Sequence, residues 1–253
     1  MTTFDDDATV TATDPAPRAS TGGPRPLALV TGATGGIGRA VVENLAATHR
    51  VIAVGRDPER LAGLTGLGPA VETVAADLTD FDKLPALVES LQTLDVLVHA
   101  AALGHRLGVA EACPADWQAQ LELNVMVPAE LTRAALPALR AARGTVVLIN
   151  SGAGFKASGG NAVYAASKFA LRAFGDALRQ EVEPDGIRVS SVHPGPTDTP
   201  MLRGIFESVG KPYRSEEYIQ PATVAAAVRT VVDAGPDVQL TTVSVRPRTE
   251  QKG

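Results

Sequence analysis

Cysteine is nearly missing from this chain of 253 residues: Cys113 is the only one. A single thiol excludes an internal disulfide and a cysteine-based zinc site. Histidine is scarce too, with four residues (His49, His99, His105, His193) and no HExxH spacing, so no metal centre is expected. No run approaches about 18 consecutive apolar residues, which excludes a helical membrane span. Positive charge is not in excess either: 23 Lys and Arg against 28 Asp and Glu leave a formal net charge of -5. Nucleic-acid binding by broad phosphate neutralisation is thereby disfavoured. Any bound anion must be gripped locally, by a few residues or backbone amides. A secretory leader would need a basic start and an apolar run of about 7–15 residues. Residues 1–26 offer neither, and a reducing, cytoplasmic setting is the expectation.

What is present is an ordinary globular composition, 45% hydrophobic and 20% charged. Residues 1–26, with three successive aspartates and four prolines, have no apolar period and read as a disordered tail. From Leu27 onward, short Val-, Ile- and Leu-rich runs alternate with Ala-rich, helix-like segments. Strands are expected over 27–31, 50–54, 71–75, 94–99, 145–150, 187–193 and 240–245. Helices are expected near 37–48, 57–64, 80–92, 114–142, 161–184 and 221–234. Continuous apolar strands are buried on both faces, as in a parallel sheet covered by helices. The pattern predicts a single α/β domain over 27–246 with a doubly wound, seven-stranded parallel sheet. Residues 203–220, with two glycines, a proline and two tyrosines, read as a mobile lid, and 247–253 as a frayed end.

The first expected strand runs into Gly32-Ala-Thr-Gly-Gly-Ile-Gly38 and then a helix. Glycine permits a positive φ in a tight turn, and its bare backbone lets N–H groups close on a diphosphate at a helix N-terminus. A glycine-rich turn alone is also an ordinary strand–helix connector. Its place after the first strand of a parallel sheet is where a dinucleotide site belongs. The second strand ends at Gly55-Arg56, where an NAD site would carry a carboxylate for the ribose 2′-hydroxyl. A guanidinium there suits the 2′-phosphate of NADP(H). The bland alternative is an exposed arginine opening a helix, and Asp57 beside it offers a carboxylate for a ribose hydroxyl.

Tyr164 and Lys168 stand four apart at the start of a predicted helix and share a face. A free tyrosine is a weak base at neutral pH, and a nearby ammonium would lower its pKa. By itself such a pair is most often a surface neighbour. Ser151 follows the fifth strand, at the sheet edge that carries the glycine turn, where its hydroxyl can meet a substrate carbonyl or merely cap a turn. Asn124 interrupts a long helical segment just before Pro128, which suggests a water-binding kink or a polar functional role.

Together these residues resemble the short-chain dehydrogenase/reductase family over about residues 27–200, in the family's order. The resemblance implies a Rossmann-type fold and a catalytic tetrad of Asn124, Ser151, Tyr164 and Lys168. It implies NADP(H) bound by Gly32, Thr34, Gly35, Gly36, Ile37, Gly38 and Arg56, with Asp77 and Leu78 at the adenine. Ala100 and Ala101 would meet the adenosine ribose, and Tyr164 and Lys168 the nicotinamide ribose. Pro194, Gly195, Thr197 and Thr199 would hold the nicotinamide end. Tyr164 would pass the proton, Ser151 would orient the carbonyl, and Asn124 would hold a water relaying protons from Lys168. The substrate, a small carbonyl or alcohol, would meet Ser151, Phe155, Tyr164, Met201, Leu202 and Phe206, an apolar surface suited to a moderately hydrophobic molecule. Where the family usually has Asn-Asn-Ala-Gly, this chain has His99-Ala-Ala-Ala102. Ala102 is expected to crowd the cofactor, and His99 to be a satisfied core histidine. The resemblance further implies a homodimer or homotetramer, built on the helices near 114–142 and 161–184. The implied activity is NADP-dependent interconversion of a ketone or aldehyde and its alcohol. The alternatives are a noncatalytic NADP(H)-binding sensor or scaffold, and a dehydratase or epimerase on the same fold.

Overall fold

The computed structural model describes residues 25–208 and 210–249. The expected tail, apart from Arg25 and Pro26, and the last four residues lie outside them. Seven strands form: β1 (Leu27–Thr31), β2 (Arg50–Gly55), β3 (Val71–Ala75), β4 (Val96–His99), β5 (Thr145–Ile149), β6 (Arg188–Pro194) and β7 (Thr242–Val245). All pair in parallel, in the order β3-β2-β1-β4-β5-β6-β7. The inner strands are buried along nearly their whole length, while the edge strand β7 is half exposed. This is a Rossmann-type sheet, and the chain reverses its direction of winding between β1 and β4. Ligands of such sheets sit beyond the carboxyl ends of the strands at that reversal.

Among the described residues, seven α-helices cover the sheet: α1 (Gly36–Leu45), α2 (Pro58–Thr65), α3 (Pro114–Leu121), α4 (Val127–Ala142), α5 (Ala162–Val182), α6 (Pro200–Ser208) and α7 (Pro221–Val232). Alternate strand residues face opposite layers. Ala28 and Val30 pack with Val41 and Leu45 of α1, Leu61 and Leu64 of α2, and Val224 and Val228 of α7. Leu29, Leu97 and Leu148 pack instead with Leu131 and Leu139 of α4 and Leu171 and Leu178 of α5. Leu131 and Ala135 are fully buried in that core, so neither is available to a subunit interface on α4. Among the described residues no helix is long and apolar enough to cross a membrane, and no cluster of His, Cys, Asp or Glu could hold a metal ion.

Two segments differ from expectation. No α-helix forms over 80–92; two short 3-10 turns, Phe81–Lys83 and Pro85–Leu87, take its place. Pro85 has no N–H to continue a helix and its ring opposes the carbonyl four residues back; bonds such as Leu84 N–H to Phe81 and Val88 N–H to Pro85 close tighter turns. The single helix expected over 114–142 is split by a π-helical stretch, Glu122–Met126. Pro128 cannot donate to the carbonyl of Asn124, and one wider turn accommodates the mismatch. Within the expected lid, residues 203–208 complete α6 and Ser215–Glu217 form a 3-10 turn. Arg203 makes two bonds to the buried Asp198, at 2.8 and 2.9 Å, and the Tyr213 hydroxyl donates to the same carboxylate at 2.8 Å.

Candidate active site

The glycine turn between β1 and α1 is shaped by close backbone approach. Gly32 has φ +63°, and a Cβ there would lie 2.6 Å from Ala101 N. A Cβ on Gly36 would lie 2.7 Å from Thr199 Cγ2, so the start of α1 touches the loop that follows β6. The helix opens after Gly35, which has no side chain to cap it. The first-turn N–H groups of Gly36, Ile37 and Gly38 therefore have no intrahelical partner and stand at the positive end of the helix dipole. Such a cradle of bare amides fits a diphosphate.

Beside it, Arg56 is exposed at the end of β2. The Asp57 carboxylate caps α2, accepting from the N–H groups of Glu59 at 3.0 Å and Arg60 at 3.2 Å. That capping role accounts for the carboxylate beside Arg56. Arg60 donates to the Thr34 carbonyl at 2.8 Å, bracing the glycine turn. Across the strand ends, hydrogen bonds from Thr79 hold the Asp77 carboxyl below the usual carboxylate range, and the charge of Arg56 adds to this. Leu78 is buried beneath. The N–H groups of Ala100 and Ala101 point back to Thr31 Oγ1 at 3.2 and 3.3 Å.

His99 is buried, with Nε2 2.9 Å from Thr132 Oγ1 and Nδ1 without a partner. It ties the sheet to α4 and is only half satisfied. Burial pushes its pKa down to about 3, so the ring is neutral.

Three of the four tetrad candidates meet at the carboxyl end of β5. Ser151 follows that strand, and its hydroxyl accepts from Ala153 N–H at 3.1 Å. The same side chain is hydrogen-bonded to Tyr164, on the first turn of α5. Lys168, one turn on, is 1% exposed. Its Nζ donates to the Ile149 carbonyl at 3.0 Å and lies 5.7 Å from the Tyr164 ring centroid. The phenol is not depressed as the sequence suggested. Burial raises its pKa, opposed only by the bond with Ser151. Burial also lowers Lys168 to about 7, so the ammonium is itself weakly held and lends the phenolate little support.

Asn124 stands apart from this trio. Its Oδ1 accepts from Leu103 N–H at 2.8 Å, while Nδ2 donates to Leu103 O at 2.8 Å and Ser167 Oγ at 2.9 Å. Ser167 in turn donates to the Tyr164 carbonyl at 2.8 Å. The π-helical turn thus aims Asn124 as a clamp between the loop after β4 and the first turn of α5. No direct bond links it to Lys168.

A cavity of about 650 Å³ adjoins the trio, with Ile37, Pro194, Gly195, Thr197 and Thr199 in its wall. Phe155, Tyr164, Met201 and Leu202 line it as expected. Phe206 does not; its ring packs edge-on against Tyr213 and Tyr218. The hydroxyl of Thr197 donates to Gly195 O, and that of Thr199 accepts from Leu202 N–H at the start of α6. A larger cavity, about 730 Å³, lies at the opposite edge among Arg25, Arg50, Glu72 and Asp95 and holds none of the expected residues.

Several residues of the site had not been singled out. His193, buried at the end of β6, has Nδ1 2.9 Å from the Ser151 carbonyl and stacks on Phe155 at 4.1 Å. Gly104 brings the loop after β4 against Tyr164 and Met201. Arg106, Lys156 and Arg246 also line the cavity. These come from loops distant in sequence, and no local pattern marks them.

Comparison with known proteins points to one family. The family model described as short chain dehydrogenase matches residues 26–210. The NADP-dependent 3-hydroxy acid dehydrogenase YdfG of Salmonella typhi is 32% identical over 237 residues, covering 88% of this chain and 96% of that protein. A crystal structure of a putative short-chain dehydrogenase/reductase from Corynebacterium glutamicum is 41% identical with a TM-score of 0.67, covering 87% of this chain and all of that one. The closed form of a serine dehydrogenase complexed with NADP+ is 27% identical with a TM-score of 0.80, covering 89% of this chain and 96% of that one.

Proposed function

The chain belongs to the short-chain dehydrogenase family, and from that premise we propose that it is an NADP-dependent oxidoreductase interconverting a ketone or aldehyde and its alcohol. The observation that carries this reading is the Ser151–Tyr164–Lys168 cluster at one cavity with the glycine turn. In this reading the bare N–H groups of Gly36, Ile37 and Gly38 hold the diphosphate, and Arg56 meets the 2′-phosphate. The name of the similar 3-hydroxy acid dehydrogenase and the NADP+ in the similar serine dehydrogenase structure support that choice. The nicotinamide, when bound, supplies or accepts the hydride.

The protein's own groups manage orientation and the proton. Ser151 Oγ donates to the substrate oxygen and fixes its carbonyl. Tyr164, held protonated at neutral pH by its raised pKa, gives its proton to that oxygen as it becomes a hydroxyl. In the reverse direction the phenolate takes the proton back. Lys168, poised with a pKa of about 7, binds the nicotinamide ribose and hands a proton on toward Tyr164. The lid is α6 and the residues after it, with Met201 and Leu202 over the substrate. Self-association uses the outer faces of α5 and of α4 with the π-helical turn before it, where Met126, Phe169, Ala173 and Ala177 are exposed. A dimer or tetramer in sedimentation is expected.

The test is fluorescence titration with NADPH and NADH, followed by a carbonyl screen reading NADPH consumption. Tight NADPH, weak NADH and turnover of a carbonyl are expected. Binding of neither cofactor would overturn the reading.

A further inference from the structure

The charge of the substrate cavity plays no part in the hydride-transfer reading. Three of the lining residues are cations, Arg106, Lys156 and Arg246, and none is Asp or Glu. Acidic residues outnumber basic ones in the chain, 28 to 23, so a wall with cations alone runs against the average surface. The three arrive from separate loops at the carboxyl edge of the sheet: Arg106 after β4, Lys156 after β5 and Arg246 directly after β7.

Several cations elsewhere are matched by carboxylates. Arg39 pairs with Glu43, Arg133 with Glu130, Arg140 with Asp185 and Arg203 with Asp198. Among the described residues, the side chains of Arg106 and Lys156 have no hydrogen-bond or ion-pair partner. Arg246 is placed by close contact with backbone. A Cβ on Gly152 would lie 2.5 Å from its Nη1, and one on Gly195 would lie 3.4 Å from the same atom. Glycine at both positions lets the guanidinium settle between the loop that begins at Ser151 and the loop that follows β6. Phe155, Met201, Leu202 and Ile205 supply apolar wall in the same cavity.

We propose that Arg106, Lys156 and Arg246 receive the carboxylate of the substrate, so that the enzyme acts on a hydroxy acid and its oxo acid with a short aliphatic skeleton. The proposal rests on the oxidoreductase reading for the reacting hydroxyl, and it adds the second functional group. A guanidinium offers a carboxylate paired, charge-assisted donors, the ammonium adds a point charge, and the apolar wall covers the carbon chain between carboxylate and carbonyl.

Two measurements on the full-length protein separate this proposal from the reading beneath it. In the first, butanoate and butanamide are titrated against the protein by NMR. One exposed charge pair is worth a factor of about two to five, so two or three acting on one carboxylate should favour butanoate by about tenfold at low salt. The preference should shrink as salt is added, and should fall to no more than the roughly two- to fivefold that Arg246 alone can give in the double variant Arg106→Met/Lys156→Met. Equal or absent binding of the two probes, or a preference undiminished by the double substitution, overturns the proposal. In the second, NADP+ reduction is followed with 3-hydroxybutanoate and with its methyl ester. Faster kcat/KM on the acid, with the acid-to-ester ratio falling in the double variant, supports the proposal; an ester used as well as the acid overturns it. A clear butanoate preference in a protein that binds neither cofactor and turns over no carbonyl of the screen refutes the oxidoreductase reading and leaves the carboxylate assignment standing.

Discussion

Gly32→Ala tests the physical basis of the cofactor turn. Gly32 has φ +63°, and an added Cβ would lie 2.6 Å from Ala101 N, 2.7 Å from Ala101 Cα and 2.8 Å from Ala100 C. All three are main-chain atoms of a segment whose N–H groups are held by Thr31 Oγ1, so they cannot swing aside as a side chain would. The left-handed conformation costs an L-residue about 1–2 kcal/mol, and overpacking a rigid site about 1–3 kcal/mol. The sum, about 2–5 kcal/mol, is a large part of the roughly 5–15 kcal/mol that holds a typical domain together. Gly66→Ala is the control: Gly66 has φ -64° and an added Cβ meets nothing within 4 Å. It should gain about 0.4–1 kcal/mol through the less flexible unfolded chain. Urea unfolding followed by circular dichroism measures both, and NADPH fluorescence measures the turn. Gly32→Ala should lose stability and bind NADPH at least about tenfold more weakly, a further 1.4 kcal/mol lost from the bound state. Equal stability of the two variants, with NADPH affinity retained in both, would refute the reasoning.

Other outcomes follow from the same geometry. Arg56→Ala should weaken NADPH by about tenfold and leave NADH nearly unchanged in the same titration, as loss of one charge-assisted contact requires. Asn124→Ala strands both polar groups of the Leu103 backbone and should cost about 2–4 kcal/mol in urea unfolding. Because Tyr164 is held protonated, carbonyl reduction should be fastest at neutral pH and fall in alkali, while alcohol oxidation should rise with pH; parallel profiles in the two directions would contradict the assignment. His99, at about 3 in the fold, takes up its proton in the unfolded chain near pH 6.5. Stability should therefore fall as pH drops from about 6.5 toward 3, by up to about 1.4 kcal/mol per unit, and His99→Leu should flatten that slope.

The buried strands were the most legible part of the chain, because strands such as Leu27–Thr31 and Thr145–Ile149 are covered on both faces and written as unbroken apolar runs. The segment 80–92 misled for the opposite reason. Its buried Leu84 and Val88 mimic a helical face, while Pro85 forbids the helix. The oddity of Asn124 before Pro128 was visible as a kink, but its partner Leu103 lies 21 positions away and could not be read from spacing. Ser151, Tyr164 and Lys168 were readable because two share a helix face and the third follows a strand. Arg246 and His193 were not, since only the parallel sheet brings the ends of β5, β6 and β7 together. The depressed tyrosine inferred from a nearby ammonium failed because burial acts on both groups at once, raising one and lowering the other.

The central claim is that Tyr164 passes the proton in an NADP-dependent reduction. Tyr164→Phe, compared with the natural protein on one reducible carbonyl, tests it most directly when NADPH affinity is measured on the same samples. Turnover is expected to fall by at least about 10²-fold, the usual contribution of a general acid, with NADPH affinity nearly intact. Undiminished turnover in Tyr164→Phe would contradict it.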